Sequence, residues 1–500
     1  MILLSDTHIS YLSTSSRWIV NAKTGKRVKL ACVNWPGHMY PMIPEGLHKQ
    51  SLKNITESIS QMGFNCVRLT WATQMFTHDS YNKLTVAESL DKWRLVAAKF
   101  SMHKSNPQLM NLTLKNIMVV LDNHVSLPIW CCDWNDGNGF FKDEYFDPKE
   151  WLQGLSIVSR RYRGNPTVVA MSIRNELRGP RQNEYDWYRF MEADVLVIVS
   201  GLSFESDLSF LKKRRLNLGM NVNKKLIYEA HWYEFGNPSE KWIFQTNEFC
   251  ADITQWFMNQ TGFLLTGKSP TPLFLSEFGK DQRGVNEAEN RYFACLMAFL
   301  VEKDLEWALW GLQGSYMLRE GHIEWEEPYG MYDYSWDNLR NSSMLQNLQL
   351  GQRMIQDPTS DHKTYYIMYH PQTGRCVHVG KHNITTSDCK KLNRWSYSGD
   401  RGPIQLLGTS RCLTVEGDNR PVNITSDCSS QKSMWKFVSK SRMHLSAKDD
   451  EGRDLCLELD SSNSTVVTKK CLCLGVNLQD IPWCNENPQR QWFKLVQSNI

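Results

Sequence analysis

The sequence predicts an α/β chain in two parts, a (β/α)₈ barrel followed by a smaller all-β domain. Two observations carry the first part. Short apolar runs alternate with helix-like stretches eight times, and most of those runs end on a polar or aromatic residue. Such alternation means parallel strands joined by crossover helices, and eight units close into a barrel. A third observation carries the second part: from Tyr365 the chain repeats itself three times around a Cys and a Trp.

Composition narrows the classes. A chain of 500 residues is too long for one compact domain. A net charge of +4 is small for that length and gives no expectation of a nucleic-acid partner; Lys212–Arg215 reads as a solvated basic face. No membrane span is expected, because the nearest candidate, Val195–Phe204, is short and interrupted by Ser200, Gly201 and Ser203. Of the 14 cysteines, eight follow residue 375, which predicts a disulfide framework. With the Asn-X-Ser/Thr sites at Asn54, Asn111, Asn259, Asn341, Asn383, Asn423 and Asn463, they point to the secretory route and an extracellular or cell-wall location. Met1–Ser5 is too short, and too poor in basic residues, for a signal peptide, so the true start is expected upstream.

Taken in order, Ser16–Leu30 predicts a hairpin, Arg17–Val20 against Arg27–Leu30 around a turn at Asn21–Lys26, closing the bottom of the barrel. The eight strands are expected at Lys29–Asn34, Asn65–Thr70, Ile117–Asp122, Thr167–Ile173, Val195–Val199, Lys225–Ala230, Leu273–Ser276 and Glu306–Trp310. The barrel is expected over 16–355, a linker over 356–364 and the all-β domain over 365–497.

Two strand ends dominate the chemistry. Thr167–Leu177 (TVVAMSIRNEL) runs from a buried strand into Asn175 and Glu176, and Pro272–Gly279 (PLFLSEFG) ends on Glu277. Active sites of such barrels form at the C-terminal strand ends. Two carboxylates there fit the acid and nucleophile of glycoside hydrolysis. The acid must keep its proton near working pH, which burial or a neighbouring anion provides; the nucleophile must stay ionised, which Arg68 favours. No metal or other cofactor is expected, since the histidines lack ligand spacing and neither the P-loop nor the dinucleotide glycine pattern opens a helix.

The motifs GFNCVRLTW, VVLDNH, SIRNEL, EAHWY, LFLSEFG and ALWG, in this order, resemble glycoside hydrolase family 5, the cellulase-like retaining glycosidases. The resemblance covers Trp18–Ile355. It implies Glu176 as general acid/base and Glu277 as nucleophile, with Asn175 on the sugar 2-hydroxyl and Arg68 and Tyr233 holding Glu277. His124 and His231 would line the cleavage subsite, and Trp310 would be its stacking floor. Leu177 departs from the Pro that more often follows the acid/base. The implied partner is a β-linked polysaccharide or oligosaccharide, such as a glucan or mannan. A lectin-like protein with a weakened barrel, or a transglycosylase, is the alternative.

The insertion between Trp130 and Trp151, CCDWNDGNGFFKDEYFDPKE, predicts a loop over the cleft. Its Trp134, Phe140 and Phe141 either offer sugar platforms or pack the loop down, and the partners of Cys131 and Cys132 stay open. The repeats opening at GRCVHV, SRCLTV and DLCLEL and closing at LNRWSY, KSMWKF and QRQWFKL resemble the ricin-type β-trefoil lectin domain. Where that family has Gln two residues before the Trp, this chain has Asn393, Ser433 and Arg490; where it has a sugar-gripping Asp, His378, Thr414 and Glu458 stand. Glu458 and Gln489 of the third repeat are the remaining candidates for a second glycan. The resemblance pairs Cys376 with Cys389, Cys412 with Cys428 and Cys456 with Cys471, and Cys473 with Cys484 would close the extra loop.

Overall fold

Eight parallel strands close on themselves: β1 Ala31–Trp35, β2 Cys66–Ala72, β3 Met118–Val125, β4 Val168–Ser172, β5 Val197–Val199, β6 Leu226–His231, β7 Leu273–Phe278 and β8 Glu306–Leu309. Each pairs with its successor, and β8 returns to β1 through Trp307↔Ala31, Ala308↔Cys32 and Leu309↔Val33. The computed structural model describes residues 12–92, 117–191, 197–216, 224–381, 383–390, 392–399, 401–460, 462, 464–474, 484 and 486–500. Met1–Ser5, the glycosylation sites at Asn111 and Asn463, and the first two residues of the expected strand Val195–Val199 lie outside that set. No helix among the described residues is long and apolar enough to cross a membrane.

The strands are buried on both faces, which is why they read as apolar runs. Inside, the layers differ in polarity. An apolar layer that includes Cys66, Val120, Ile198, Ile227 and Phe274 packs against Leu12 and Ile19. Toward the strand ends the inward positions turn polar, with Arg68, Asp122, Ser172, Glu229 and Glu277 all buried.

The N-terminal hairpin corrects the sequence expectation. Trp18–Asn21 pairs with Leu12–Ser15 upstream, in the register Thr14↔Ile19. The turn at Asn21–Lys26 forms, with Asn21 Oδ1 accepting from the backbone N–H of Lys23 and Thr24. It leads to a single bridge, Val20↔Arg27, because β8 claims the residues beyond it. Glu306 accepts from Arg27 Nη2 at 3.0 Å and from the Leu30 backbone N–H at 2.6 Å.

The insertion after β3 is coil until Pro148, where a helix, Pro148–Arg161, begins. Asp147 caps it by accepting from Lys149 N, worth about 1 kcal/mol. Phe140 is buried and both Phe140 and Phe141 pack against Phe190, whereas Trp134 is 41% exposed. Cys131 and Cys132 are bonded to each other. Cys32–Cys66 and Cys250–Cys295 are the other two disulfides before residue 355.

The chain divides into two compact units, residues 1–233, 257–283 and 306–341 in one, and 234–256, 284–305 and 342–500 in the other. The C-terminal part of the second is all-β, as the repeats predict. Its first strand, Tyr365–His370, pairs with its last, Lys494–Ser498. Trp395, Trp435 and Trp492, one per repeat, are fully buried. The bonds Cys376–Cys389, Cys412–Cys428, Cys456–Cys471 and Cys473–Cys484 pair the cysteines within each repeat. This unit also holds the helices Ser239–Phe244 and Glu287–Lys303. Trp492 Nε1 donates to Asn247 Oδ1 at 2.8 Å, and Lys494 pairs with Glu302 at 2.6 Å, so the repeats share a core with segments that precede residue 355.

Candidate active site

β2 delivers Arg68 to the barrel axis, and the guanidinium organises what surrounds it. Nη1 donates to Glu277 Oε1 at 2.7 Å and to Asn34 Oδ1 at 3.0 Å, while Nη2 donates to Asn175 Oδ1 at 2.8 Å. Asp122 lies 3.0 Å from Nη2 and Glu229 lies 3.6 Å from it. One fully buried cation thus meets three carboxylates, a geometry only the planar fork of Arg satisfies.

A register shift between β6 and β7 sets His231 opposite Glu277, skipping Ser276. His231 Nδ1 stands 2.8 Å from Glu176 Oε1 and 3.7 Å from Glu277 Oε2, and its Nε2 lies 3.0 Å from Glu205 Oε2. Tyr233 Oη donates to Glu277 Oε2 at 3.3 Å. One carboxylate oxygen of Glu176, one of Glu277 and a ring nitrogen of His231 all lie within 4.8 Å of each other.

His124 takes the other wall. Its Nδ1 is 2.7 Å from Asp122 Oδ2, its Nε2 is 3.5 Å from Asn175 Nδ2, and its ring stacks with that of Trp310 and meets that of His38 at a tilt. The amide nitrogen of Asn175 also faces the bonded sulfurs of Cys131 at 3.7 Å and Cys132 at 3.6 Å. All eight barrel residues singled out from sequence therefore converge on one rim.

Glu176 is held in a left-handed conformation, φ 41°, which costs a non-glycine residue about 1–3 kcal/mol. Its peptide is gripped from both sides. The N–H donates to Glu205 Oε1 at 2.7 Å, and the carbonyl accepts from Arg178 Nη1 at 2.6 Å.

The charges follow from burial and partners. Burial pushes the Glu277 carboxyl up to about 7; His231 and then Arg68 pull against that, and Glu176 and Glu205 push with it. Burial also disfavours charge on His231, but Glu205, Glu277 and Glu176 outweigh it and hold the ring well above its ordinary value, as an imidazolium. Burial lowers His124 and His38, with Arg68 adding to both, so a neutral His124 can donate Nδ1–H to Asp122 and keep Nε2 as an acceptor. Burial, reinforced by Glu205, pushes Glu229 up to about 8. Arg68 and the hydrogen bond that Ser172 donates to Glu229 pull the other way.

Among the described residues, two donor groups are close enough to suggest a metal, Glu176/His231/Glu277 and His124/Cys131/Cys132. In the second, sulfurs bonded to each other are not thiolates, and in the first the nearer ring nitrogen of His231 is already hydrogen-bonded to Glu176 Oε1 at 2.8 Å. Glu458 and Gln489 are not brought to an open surface. Glu458 is 3% exposed and accepts from Lys469 and Gln491, each at 2.9 Å, and Gln489 donates to the Arg291 carbonyl at 2.9 Å.

Asp122, Glu205, Glu229 and His38 were not singled out from sequence. Asp122 and Glu229 stand two residues before His124 and His231, and period-two alternation puts each on its histidine's face of the strand, a legible signal. His38 follows β1 in NWPGH without one, and Glu205 sits in a loop with none.

Comparison with known proteins identifies the family and the barrel fold. The family model described as cellulase (glycosyl hydrolase family 5) matches residues 22–315. A "Glycosyl hydrolase 5 family protein" of Chamaecyparis obtusa is 39% identical over 535 aligned positions, covering 100% of this chain and 95% of its own. An endoglucanase of Paenibacillus polymyxa is 21% identical over 60% of this chain and 79% of its own. Among solved structures, a hyperthermophilic endocellulase of Pyrococcus horikoshii shares the fold, with a TM-score of 0.52 at 16% identity, covering 69% of this chain and 98% of that one. The same endocellulase in complex with cellotetraose also scores 0.52, at 15% identity, over 69% of this chain and 98% of that one. The chain belongs to glycosyl hydrolase family 5 and is a glycoside hydrolase.

Proposed function

We propose that this chain is a retaining endo-acting hydrolase of a β-linked polysaccharide, a β-glucan in the first place and a mannan in the second. The observation that carries the mechanism is the closeness of Glu176 and Glu277, with carboxylate oxygens within 4.8 Å. Retaining enzymes keep their carboxyls about 5–5.5 Å apart, and inverting ones need a gap wide enough for a water. In the first step a Glu277 oxygen attacks the anomeric carbon. The bond to the leaving oxygen breaks as that oxygen takes the proton of Glu176. In the second, Glu176 takes a proton from water, the resulting hydroxide attacks the anomeric carbon, and Glu277 leaves.

The neighbours fit those roles. Arg68 and Tyr233 aim Glu277, the Asn175 amide nitrogen would exchange its long contacts to His124 and the Cys131 and Cys132 sulfurs for the 2-hydroxyl, and His124 and Trp310 form a stacked wall for the sugar. His231 faces the charge that develops on Glu176 as it gives up its proton. The glucan preference leans on the endoglucanase and endocellulase relatives. Seven disulfides favour maturation in an oxidising compartment, hence the extracellular or cell-wall assignment. The all-β residues 365–497 are read as a ricin-type trefoil joined to a 16–355 barrel through 356–364. A second glycan there would need Glu458 to exchange its internal partners. A panel of soluble β-1,4-glucan, β-1,3-glucan, mannan and xylan, read by new reducing ends and product length, tests the function. Shortened glucan or mannan chains are expected. Products longer than the substrate, or no cleavage of any polymer, would contradict it.

A further inference from the structure

Glu205 is a fully buried carboxylate that the family's catalytic set does not include. It comes from the loop after β5 and spans two parts of the site: Oε1 accepts the Glu176 backbone N–H at 2.7 Å and Oε2 lies 3.0 Å from His231 Nε2. Ser276 Oγ donates to Oε2 at 3.4 Å. The loop reaches that position by an unusual route. Ser203, Phe204 and Glu205 have φ of 53°, 57° and 59°, three successive non-glycine residues in the left-handed region. Such conformations persist where the surroundings over-determine them and gather at functional sites. Here the surroundings are the acid/base loop itself, since Phe204 N–H donates to the Leu177 carbonyl at 3.0 Å and Ser203 N–H to Gln182 Oε1 at 2.8 Å.

We propose that Glu205 is a positioning residue for the acid/base step, holding the Glu176 peptide and the His231 ring in one grip. This rests on the reading of Glu176 as acid/base. The chain Glu205–His231–Glu176 runs through both ring nitrogens, so one carboxylate fixes the orientation of the imidazole and sustains its charge. That charge in turn meets the carboxylate forming on Glu176 as its proton leaves. The groups facing this chain are Glu277 from β7, Arg68 from β2, Glu229 from β6 and Asp122 from β3. Taking away the Glu205 charge makes the His231 proton easier to lose.

The test compares the wild-type chain with Glu205→Gln and Glu205→Asp. Glu205→Gln is expected to lower kcat on unactivated β-glucan about 10²-fold, the scale of a misplaced catalytic group. It should lower kcat/KM on a dinitrophenyl glycoside, which reports bond cleavage, less than about threefold, since that leaving group needs little protonation. Its alkaline limb should move to lower pH, and Glu205→Asp, charged but a methylene shorter, should restore the limb and only part of the rate. Equal losses on both substrates with an unmoved limb would overturn the proposal. A second readout needs neither turnover nor a folded variant: nitrogen NMR of the wild-type His231 ring should show both nitrogens protonated throughout neutral pH. A neutral ring there overturns the proposal even if the hydrolase reading stands, and a protonated ring supports the grip even if no polymer is cleaved.

Discussion

Arg68 Nη1 donates to Glu277 Oε1 at 2.7 Å while Nη2 of the same guanidinium holds Asn175 Oδ1 at 2.8 Å. One planar group from β2 therefore fixes the distance between the proposed nucleophile and the amide that would meet the sugar. A lysine would bring one charge and no fork. Arg68→Lys is expected to lower kcat on β-glucan about 10²-fold with KM moving less than about threefold, because orientation is lost more than binding. Steady-state kinetics on a defined cello-oligosaccharide check this, and an unchanged kcat would contradict it.

Glu176 carries the proton on this reading. Glu176→Ala should cost about 10²–10⁴-fold on polysaccharide and little in bond cleavage of dinitrophenyl glycosides. Added azide should restore turnover and yield a β-glycosyl azide, identified by NMR. Equal losses on both substrate types, without rescue, would remove Glu176 from the role.

Burial of Glu277 has a stability consequence. Unfolded, the carboxyl ionises near 4.5; folded, near 7. Between those values the folded state binds more protons, so the Glu277 contribution is fully present below about 4.5 and is lost as pH rises through 7. At pH 8 the penalty is at most about 3 kcal/mol at 1.36 kcal/mol per pH unit. Glu277→Gln, uncharged at any pH, should raise stability in urea at pH 8 and change it little at pH 5. A Gln variant less stable at pH 8 than the native chain would show that the ion pair with Arg68 outweighs burial.

Much of this site was legible because strands buried on both faces leave few places for polar residues, so Arg68 stood out within one apolar run and Glu176 and Glu277 after two others. The hairpin was misread for a different reason. Arg17–Val20 and Arg27–Leu30 flank a genuine turn, but Glu306, far along the chain, claims Arg27 and Leu30. Glu205 was invisible because a left-handed turn has no side-chain periodicity, and β5 before it has three residues among those described. The shared core of the second unit rests on ties such as Trp492 to Asn247, which carry no motif.

Glu277 as the carboxylate that bonds the sugar in a covalent glycosyl-enzyme is tested most directly by labelling with an activated 2-fluoro-glycoside. Peptide mass mapping after inactivation should place the fluorosugar on the peptide containing Pro272–Gly279, with fragmentation assigning it to Glu277. An adduct on any other residue, or inverted first-formed product with no adduct, would contradict the account.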